Sequence, residues 1–144
     1  YTPAITTMQG QAEALKNIRE EGLPAVYARH ARLAKATQKA VQALHLELLP
    51  DEENSSNIIT AVKVPDGLDI GAVLKTMNKK FDIMLTGGQK ALKGKIFRIG
   101  HCGFVSESDL IKTFSALERA LAENGYTDFT PGASLVALQE AFMA

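Results

Sequence analysis

The order of helical and strand-type hydrophobic patterns restricts the fold of this chain more than any other feature. Apolar residues at helical spacing predict a first helix over 6–21, and Pro24 opens a second that runs to about His45. Gly22 stands between them, where a residue just past a helix end belongs. The second helix has an inner stripe formed by Val26, His30, Leu33, Thr37, Val41 and Leu44. Four basic residues lie off this stripe and are most simply a solvated face: Arg29, Arg32, Lys35 and Lys39.

Three strands and three further helices are predicted after this pair. β-branched and apolar runs mark the strands, at 57–64, 83–85 and 95–100. Capping residues mark the starts of the helices, at Asp69, Ser106 and Thr130. The stretch 86–94, between the last two strands, reads as a glycine-containing loop of a hairpin. The order α-α-β-α-β-β-α-α predicts an α+β fold, in which a small mixed or antiparallel sheet carries helices on one face.

Composition limits both the domain count and the function classes. A length of 144 residues suits one domain, here 1–144. Sixteen basic residues balance sixteen acidic ones, which disfavours nucleic acid as a partner. One cysteine cannot form a disulfide within the chain, and this fits a reducing, cytoplasmic setting. No apolar run is long enough to cross a membrane, and a start at Tyr1 rather than Met reads as a cut from a longer protein.

Cys102 and the three histidines are the first candidates for chemistry. Cys102 follows His101, but neighbours at a strand end point in opposite directions, so this base cannot reach the thiol. We therefore expect Cys102 to be a small buried side chain and His101 to make a structural hydrogen bond. His30 is expected to be a satisfied core residue, and His45 to meet the dipole of a helix end. These groups predict no catalytic residue and no metal site.

Arg98 is the candidate for ligand binding. The glycine-rich stretch 87–94 fails the pattern of a phosphate-binding P-loop, because a strand rather than a helix follows it. Arg98 lies at the centre of the apolar strand after this loop, on the same side as Ile96 and opposite to Phe97. Its planar guanidinium can hold a carboxylate through two parallel hydrogen bonds. On pattern alone, an arginine on a solvated sheet face is the commoner case.

The segment 92–103, LKGKIFRIGHCG, resembles a signature near the end of class V aminotransferases, which depend on pyridoxal 5'-phosphate (PLP). The similarity is to the branch of alanine–glyoxylate and serine–glyoxylate aminotransferases. Other similar stretches occur in the family's order and extend over nearly the whole chain, at 1–5, 20–23, 29–34 and 60–65. The resemblance implies the C-terminal small domain of a fold type I PLP enzyme.

The resemblance also implies roles for two residues. The arginine of the family's R-I-G motif binds the substrate α-carboxylate, which matches Arg98. The threonine of its T-P motif bonds the cofactor phosphate in the neighbouring subunit of a homodimer, which matches Thr2. The lysine that carries PLP belongs to the upstream large domain in the family. The resemblance therefore implies a chain that binds no PLP alone and is inactive by itself.

In the full-length protein the implied reaction moves an amino group from a small amino acid, such as alanine or serine, to glyoxylate or a similar 2-oxo acid. Three alternatives stay open. The first is a stand-alone module that binds a small carboxylate or regulates another protein. The second is a subunit of a redox complex such as a soluble hydrogenase, although one cysteine cannot ligate an iron–sulfur cluster. The third is another PLP chemistry, such as cysteine desulfuration, with Cys102 as the thiol.

Overall fold

The computed structural model describes residues 3–144, and Thr2, the predicted phosphate ligand, lies outside them. Within this range there are five α-helices: α1 (Ile5–Glu21), α2 (Leu23–Ala43), α3 (Ile70–Phe81), α4 (Glu107–Glu123) and α5 (Ala133–Met143). Three strands lie between them: β1 (Ile59–Lys63), β2 (Thr86–Gly87) and β3 (Ile96–Gly100). Single 3-10 turns occupy Glu52–Asn54 and Lys90–Leu92. The predicted element order and the α+β class are confirmed.

The three strands form one antiparallel sheet in the order β1-β3-β2. Both outer strands run antiparallel to β3, so α3 is a crossover between β1 and β2, and β2–β3 is the predicted hairpin. Arg98 is paired with Ala61 of β1 and Thr86 of β2, at the middle of the sheet. The sheet is therefore built around the strand that carries the candidate residue.

One face of the sheet completes the core of the domain. Val62, Phe97 and Ile99 belong to the same buried cluster as apolar residues of α2, α3, α4 and α5. Phe97 is fully buried, as is Phe114 of α4. Because side chains alternate along a strand, Arg98 points away from this cluster. The core therefore packs on one face of the sheet, and Arg98 lies on the opposite face.

The second predicted strand is displaced: residues 83–85 form no strand, and β2 lies at Thr86–Gly87 instead. α3 ends at Asp82 in the left-handed conformation (φ 54°), and the amide of Ile83 donates back to the carbonyl of Met77 at 3.2 Å. A left-handed residue commonly follows the end of a helix. The helix ending takes up the segment before Thr86, where pairing with β3 begins. The apolar run packs on the core instead, with Ile83 and Leu85 half-buried and Met84 80% exposed.

α1 differs from the rest of the domain because none of its residues is buried. Its larger apolar side chains are open to solvent, with Ile5 56%, Met8 65% and Leu15 51% exposed. α2 begins directly after Gly22 (φ 84°) and is the first helix that packs into the core. Contact between α1 and the domain is therefore concentrated near this junction.

The start of α5 depends on a residue that the sequence pattern does not reveal. The expected opening at Thr130 shifts to Ala133. There the buried carboxylate of Glu118, on α4, accepts hydrogen bonds from the amides of Gly132 (2.7 Å) and Ser134 (3.0 Å). A carboxylate at these positions satisfies orphan amides and favours the positive end of the helix dipole.

Candidate functional site: the Arg98 strand and its surroundings

Arg98 is held by one backbone carbonyl. Its Nε and Nη2 atoms donate to the carbonyl oxygen of Gly87, at 3.2 and 2.8 Å. The side chain is half-buried, and it pairs with none of the carboxylates that the structure describes. A guanidinium stays charged and has five N–H donors. The site therefore presents a positive charge whose remaining donors face away from the core.

The loop before β3 sets the position of this carbonyl. The amide of Gly88 donates to the carbonyl of Ile96 at 2.9 Å, which closes the hairpin. A β-carbon at Gly88 would lie 2.0 Å from the carbonyl oxygen of Leu92 and 2.8 Å from the Ile96 side chain. Position 88 therefore requires glycine because of space. Two residues of this loop, Lys90 (49°) and Gly94 (76°), adopt a positive φ.

The residue after β3, His101, has the structural hydrogen bond that the sequence predicts. The ring is fully buried, and its Nε2 lies 2.9 Å from the hydroxyl oxygen of Thr60 on β1. Its Nδ1 makes no hydrogen bond of normal geometry with the described atoms. The nearby backbone carbonyl of Asn57 acts to raise the pKa of the ring. Burial outweighs this and lowers the pKa of His101 below its usual value.

Cys102 corrects the next prediction, because it is exposed rather than buried. The alternation that turns Phe97, Ile99 and His101 inward continues past the end of β3, so Cys102 faces outward. Its neighbour Gly103 then adopts a positive φ of 76° and turns the chain away from the sheet.

Arg29 corrects the prediction of a solvated basic face, whereas Arg32, Lys35 and Lys39 are exposed as expected. Arg29 is half-buried, and its Nε and Nη2 donate to the two carboxylate oxygens of Glu21 at 2.7 and 2.9 Å. Its Nη1 donates to the carbonyl of Gly103 at 3.0 Å. The side-chain hydrogen bond between the partners raises the pKa of Arg29 and lowers that of Glu21.

His30 completes the network between the α1–α2 junction and the loop after β3. Its Nε2 accepts from the amide of Gly103 at 3.2 Å, and its Nδ1 lies 2.7 Å from the carbonyl of Val26. The ring is satisfied, as predicted, but it is half-buried and does not belong to the core as expected. His45 lies just past the end of α2, as predicted, with φ 56°. An open groove of about 640 Å³ lies next to the network, lined among others by Ile18, Ile58 and Phe104.

The surroundings of the lysines decide whether these residues could bond a carbonyl cofactor such as PLP. A lysine that bonds a carbonyl cofactor is usually activated in a desolvated pocket or beside another cation. Every lysine of residues 3–144 is exposed to solvent.

The same residues, 3–144, contain no cluster of three His, Cys, Asp or Glu side chains able to hold a metal ion. None of the helices in this range is long and apolar enough to span a membrane.

Comparisons with known proteins find relatives that match most of the chain in sequence and in fold. The small subunit of a soluble hydrogenase from Synechococcus sp. (strain PCC 6716) is 47% identical over 137 residues, which are 95% of this chain and 35% of that protein. Serine–glyoxylate aminotransferase of Arabidopsis thaliana is 41% identical over 127 residues, 88% of this chain and 32% of that enzyme. The crystal structure of pyridoxamine–pyruvate aminotransferase from Mesorhizobium loti matches with a TM-score of 0.91 and 30% identity, over 99% of this chain and 37% of that one.

No family model matches the chain. It spans about a third of the length of these relatives, and the agreement in fold covers nearly all of its own residues. In sequence and in fold, the chain matches the C-terminal region of the class V aminotransferases.

Proposed function

We propose that the protein carrying this region is a PLP-dependent aminotransferase, in which Arg98 binds the α-carboxylate of the substrate. The observation that carries the proposal is the state of Arg98: charged, half-buried, and fixed by a carbonyl that leaves several donors free. A guanidinium in this state is suited to a carboxylate, because the pair forms two parallel, charge-assisted hydrogen bonds. Serine–glyoxylate aminotransferases among the relatives support the reaction class.

The proposed reaction moves an amino group from a small amino acid, alanine or serine, to glyoxylate or a similar 2-oxo acid. Relatives named for glyoxylate or pyruvate as a partner support acceptors of this size. When bound, PLP supplies the electron sink for such chemistry. Arg98 contributes orientation, because a carboxylate fixed at two points holds the rest of a small substrate in one direction.

The remaining parts of the site are proposed to lie outside residues 3–144. Thr2 is proposed to bond the cofactor phosphate of the neighbouring subunit, in a homodimer. The lysine that holds PLP is proposed to come from the region of the full-length protein that precedes this one. The chain alone is then expected to be inactive, because it offers a carboxylate site and no activated lysine.

A redox-complex subunit is the second candidate, because two relatives are named as soluble-hydrogenase subunits. The one cysteine of the chain, Cys102, is exposed and has no cysteine partner with which to ligate an iron–sulfur cluster. In such a complex this chain would have a structural role and would not ligate an iron–sulfur cluster. The carboxylate site around Arg98 favours the aminotransferase.

The test begins with full-length protein from its source cells, reduced with borohydride and weighed intact. A pyridoxyl adduct on a chain well above 15.5 kDa supports the aminotransferase. The variant Arg98→Ala should then raise KM for both substrates and lower kcat/KM about a hundredfold, since a bidentate charged contact is lost. Arg119→Ala, which removes an exposed arginine of α4, is the matched control. An unchanged kcat/KM in Arg98→Ala would refute the proposed role.

A further inference from the structure

We infer that the carbonyl of Gly87 selects how a carboxylate binds Arg98: end-on, through Nη1 and Nη2, and not along the Nε edge. The inference rests on the proposed function and deepens it, because it specifies the binding geometry and names the loop that sets it. Gly87 and Gly88 are then positioning residues, which act on the substrate through Arg98.

The donor inventory of the guanidinium is the first step. Two edges of the group present a pair of parallel N–H bonds, one formed by Nε and Nη2 and one by Nη1 and Nη2. The Gly87 carbonyl accepts from both atoms of the first edge, at 3.2 and 2.8 Å. The second edge keeps its two hydrogens, one on Nη1 and one on Nη2. Only this edge can hold a carboxylate by two bonds while the Gly87 contact persists.

The second step is the rigidity of the acceptor. Gly87 belongs to β2, and its partner in the sheet is Phe97, a fully buried core residue. The next amide, that of Gly88, is bonded to the Ile96 carbonyl. A methyl group at Gly88 would lie 2.0 Å from the carbonyl oxygen and 2.6 Å from the carbonyl carbon of Leu92, both backbone atoms. The peptide that holds Arg98 is thus fixed on both sides.

The third step is what this rigidity contributes to binding. A free arginine side chain loses rotamer freedom when it captures a ligand, and this loss weakens binding. The Gly87 carbonyl orders the guanidinium beforehand and, as a neutral group, leaves its charge for the ligand. A carboxylate in the place of Gly87 would neutralise the arginine instead, as Glu21 does for Arg29.

The experiment compares two glycine variants of the full-length enzyme. Gly88→Ala forces the loop to move, because the added methyl meets backbone. We expect KM for the amino acid and the 2-oxo acid to rise about tenfold with kcat within about twofold, the cost of ordering one long side chain. Gly10→Ala is the matched control, because its methyl, on the exposed helix α1, would meet nothing within 4 Å. Its KM should stay within about twofold.

An amine substrate without a carboxylate separates positioning from general damage. Its half-reaction rate, followed by the absorbance of the cofactor, should be equal in wild type and Gly88→Ala, since it makes no use of Arg98. Equal KM values for the carboxylate substrates in wild type and Gly88→Ala would overturn the inference. If Arg98→Ala also left KM unchanged, the proposed function itself would fail.

A structure of the wild-type holoenzyme with glycolate, an unreactive analogue of glyoxylate, tests the geometry even if Gly88→Ala does not fold. We expect carboxylate oxygens within about 3.2 Å of Nη1 and Nη2, with Gly87 still bonded to Nε. A carboxylate bound to Nε, with the Gly87 carbonyl displaced, would overturn the end-on geometry while leaving Arg98 as the carboxylate receptor.

Discussion

Arg29 and Arg98 are both half-buried arginines, but they differ in how many of their hydrogen-bond donors are engaged and in the charge of the acceptors. Arg29 donates to both carboxylate oxygens of Glu21 and to the carbonyl of Gly103, so all three nitrogens of its guanidinium are engaged. Arg98 donates to one neutral carbonyl, that of Gly87, with a single edge. The first arrangement joins two parts of the fold, whereas the second leaves a charge and a donor edge for a ligand. The number of bonded donors, more than burial, separates the structural Arg29 from Arg98, the arginine proposed to bind a ligand.

The largest expected effect comes from the same substitution at the two positions. Arg98→Lys keeps the charge but loses the planar donor edge, so kcat/KM of the full-length enzyme should fall about a hundredfold. Arg29→Lys should leave kcat/KM within about twofold and instead destabilise the fold, by about 1 kcal/mol for the lost bond to Gly103. Steady-state kinetics and urea unfolding of both variants measure the two effects.

The reverse result would break the comparison. If Arg29→Lys altered kinetics as strongly as Arg98→Lys, the network at the α1–α2 junction would belong to the binding site. The pairing of Arg29 with Glu21 would then be a contact that orders the site and not only the fold.

How well the sequence predicts a feature of this structure depends on how far apart in the chain the contacting residues lie. Local hydrophobic periods predict the element order, and the alternation along β3 places Arg98 opposite Phe97. The same alternation, carried two residues further, would have placed Cys102 outside; the general tendency of cysteine to be buried misled the prediction. The pairing of Arg29 with Gly103 joins residues 74 positions apart, so no local pattern reveals it.

The misplaced strand has a different cause. An apolar run such as 83–85 fits either a strand or the end of a helix, and periodicity cannot separate them. The left-handed residue Asp82 decides between them, because it follows the end of α3 and directs the amide of Ile83 back to the carbonyl of Met77. The family resemblance implied a role for Arg98, whereas its contact with the Gly87 carbonyl could be found only in three dimensions.

Glu118 extends the comparison from arginines to a carboxylate whose bonds are saturated. It accepts from the amides of Gly132 and Ser134 and from the Ser134 hydroxyl. Glu118→Ala should cost about 2 kcal/mol, because buried donors at the start of α5 lose their acceptor. Glu118→Gln, which keeps one acceptor oxygen, should cost less, and urea unfolding of both variants measures the order. Equal stability of Glu118→Ala and wild type would show that α5 does not depend on this contact.

The pH dependence of stability tests His101, which lies between the strand of Arg98 and Gly103, the residue that Arg29 contacts. The pKa of His101 lies below its ordinary 6.5, chiefly because the ring is buried. Below pH 6.5 the unfolded chain therefore binds a proton that the folded chain refuses, so stability should fall as the pH falls and level off below the folded-state pKa. His101→Gln should remove this slope, as followed by unfolding midpoints between about pH 5 and 7.5.

A second titration separates the Arg29 region from His101. Arg29 lowers the pKa of Glu21 below 4.5, so this stabilisation is present above pH 4.5 and is lost as the pH falls through the folded-state pKa. Glu21→Gln should flatten the acid end of the curve and leave the slope below pH 6.5 unchanged. If His101→Gln flattened both regions, the two groups would titrate together and the two regions would not be independent.

The smallest effect is expected at Cys102, which lies between the two regions and bonds to neither arginine. It is exposed, and the ring of its neighbour His101 is turned inward to Thr60, so this histidine does not activate the thiol. Cys102→Ser should therefore keep kcat/KM for transamination within about twofold. Release of sulfide from cysteine by wild type but not by Cys102→Ser would favour the desulfuration alternative. It would also shift the functional centre from the proposed carboxylate edge of Arg98 to the loop after β3, in the groove that Arg29 and His30 also line.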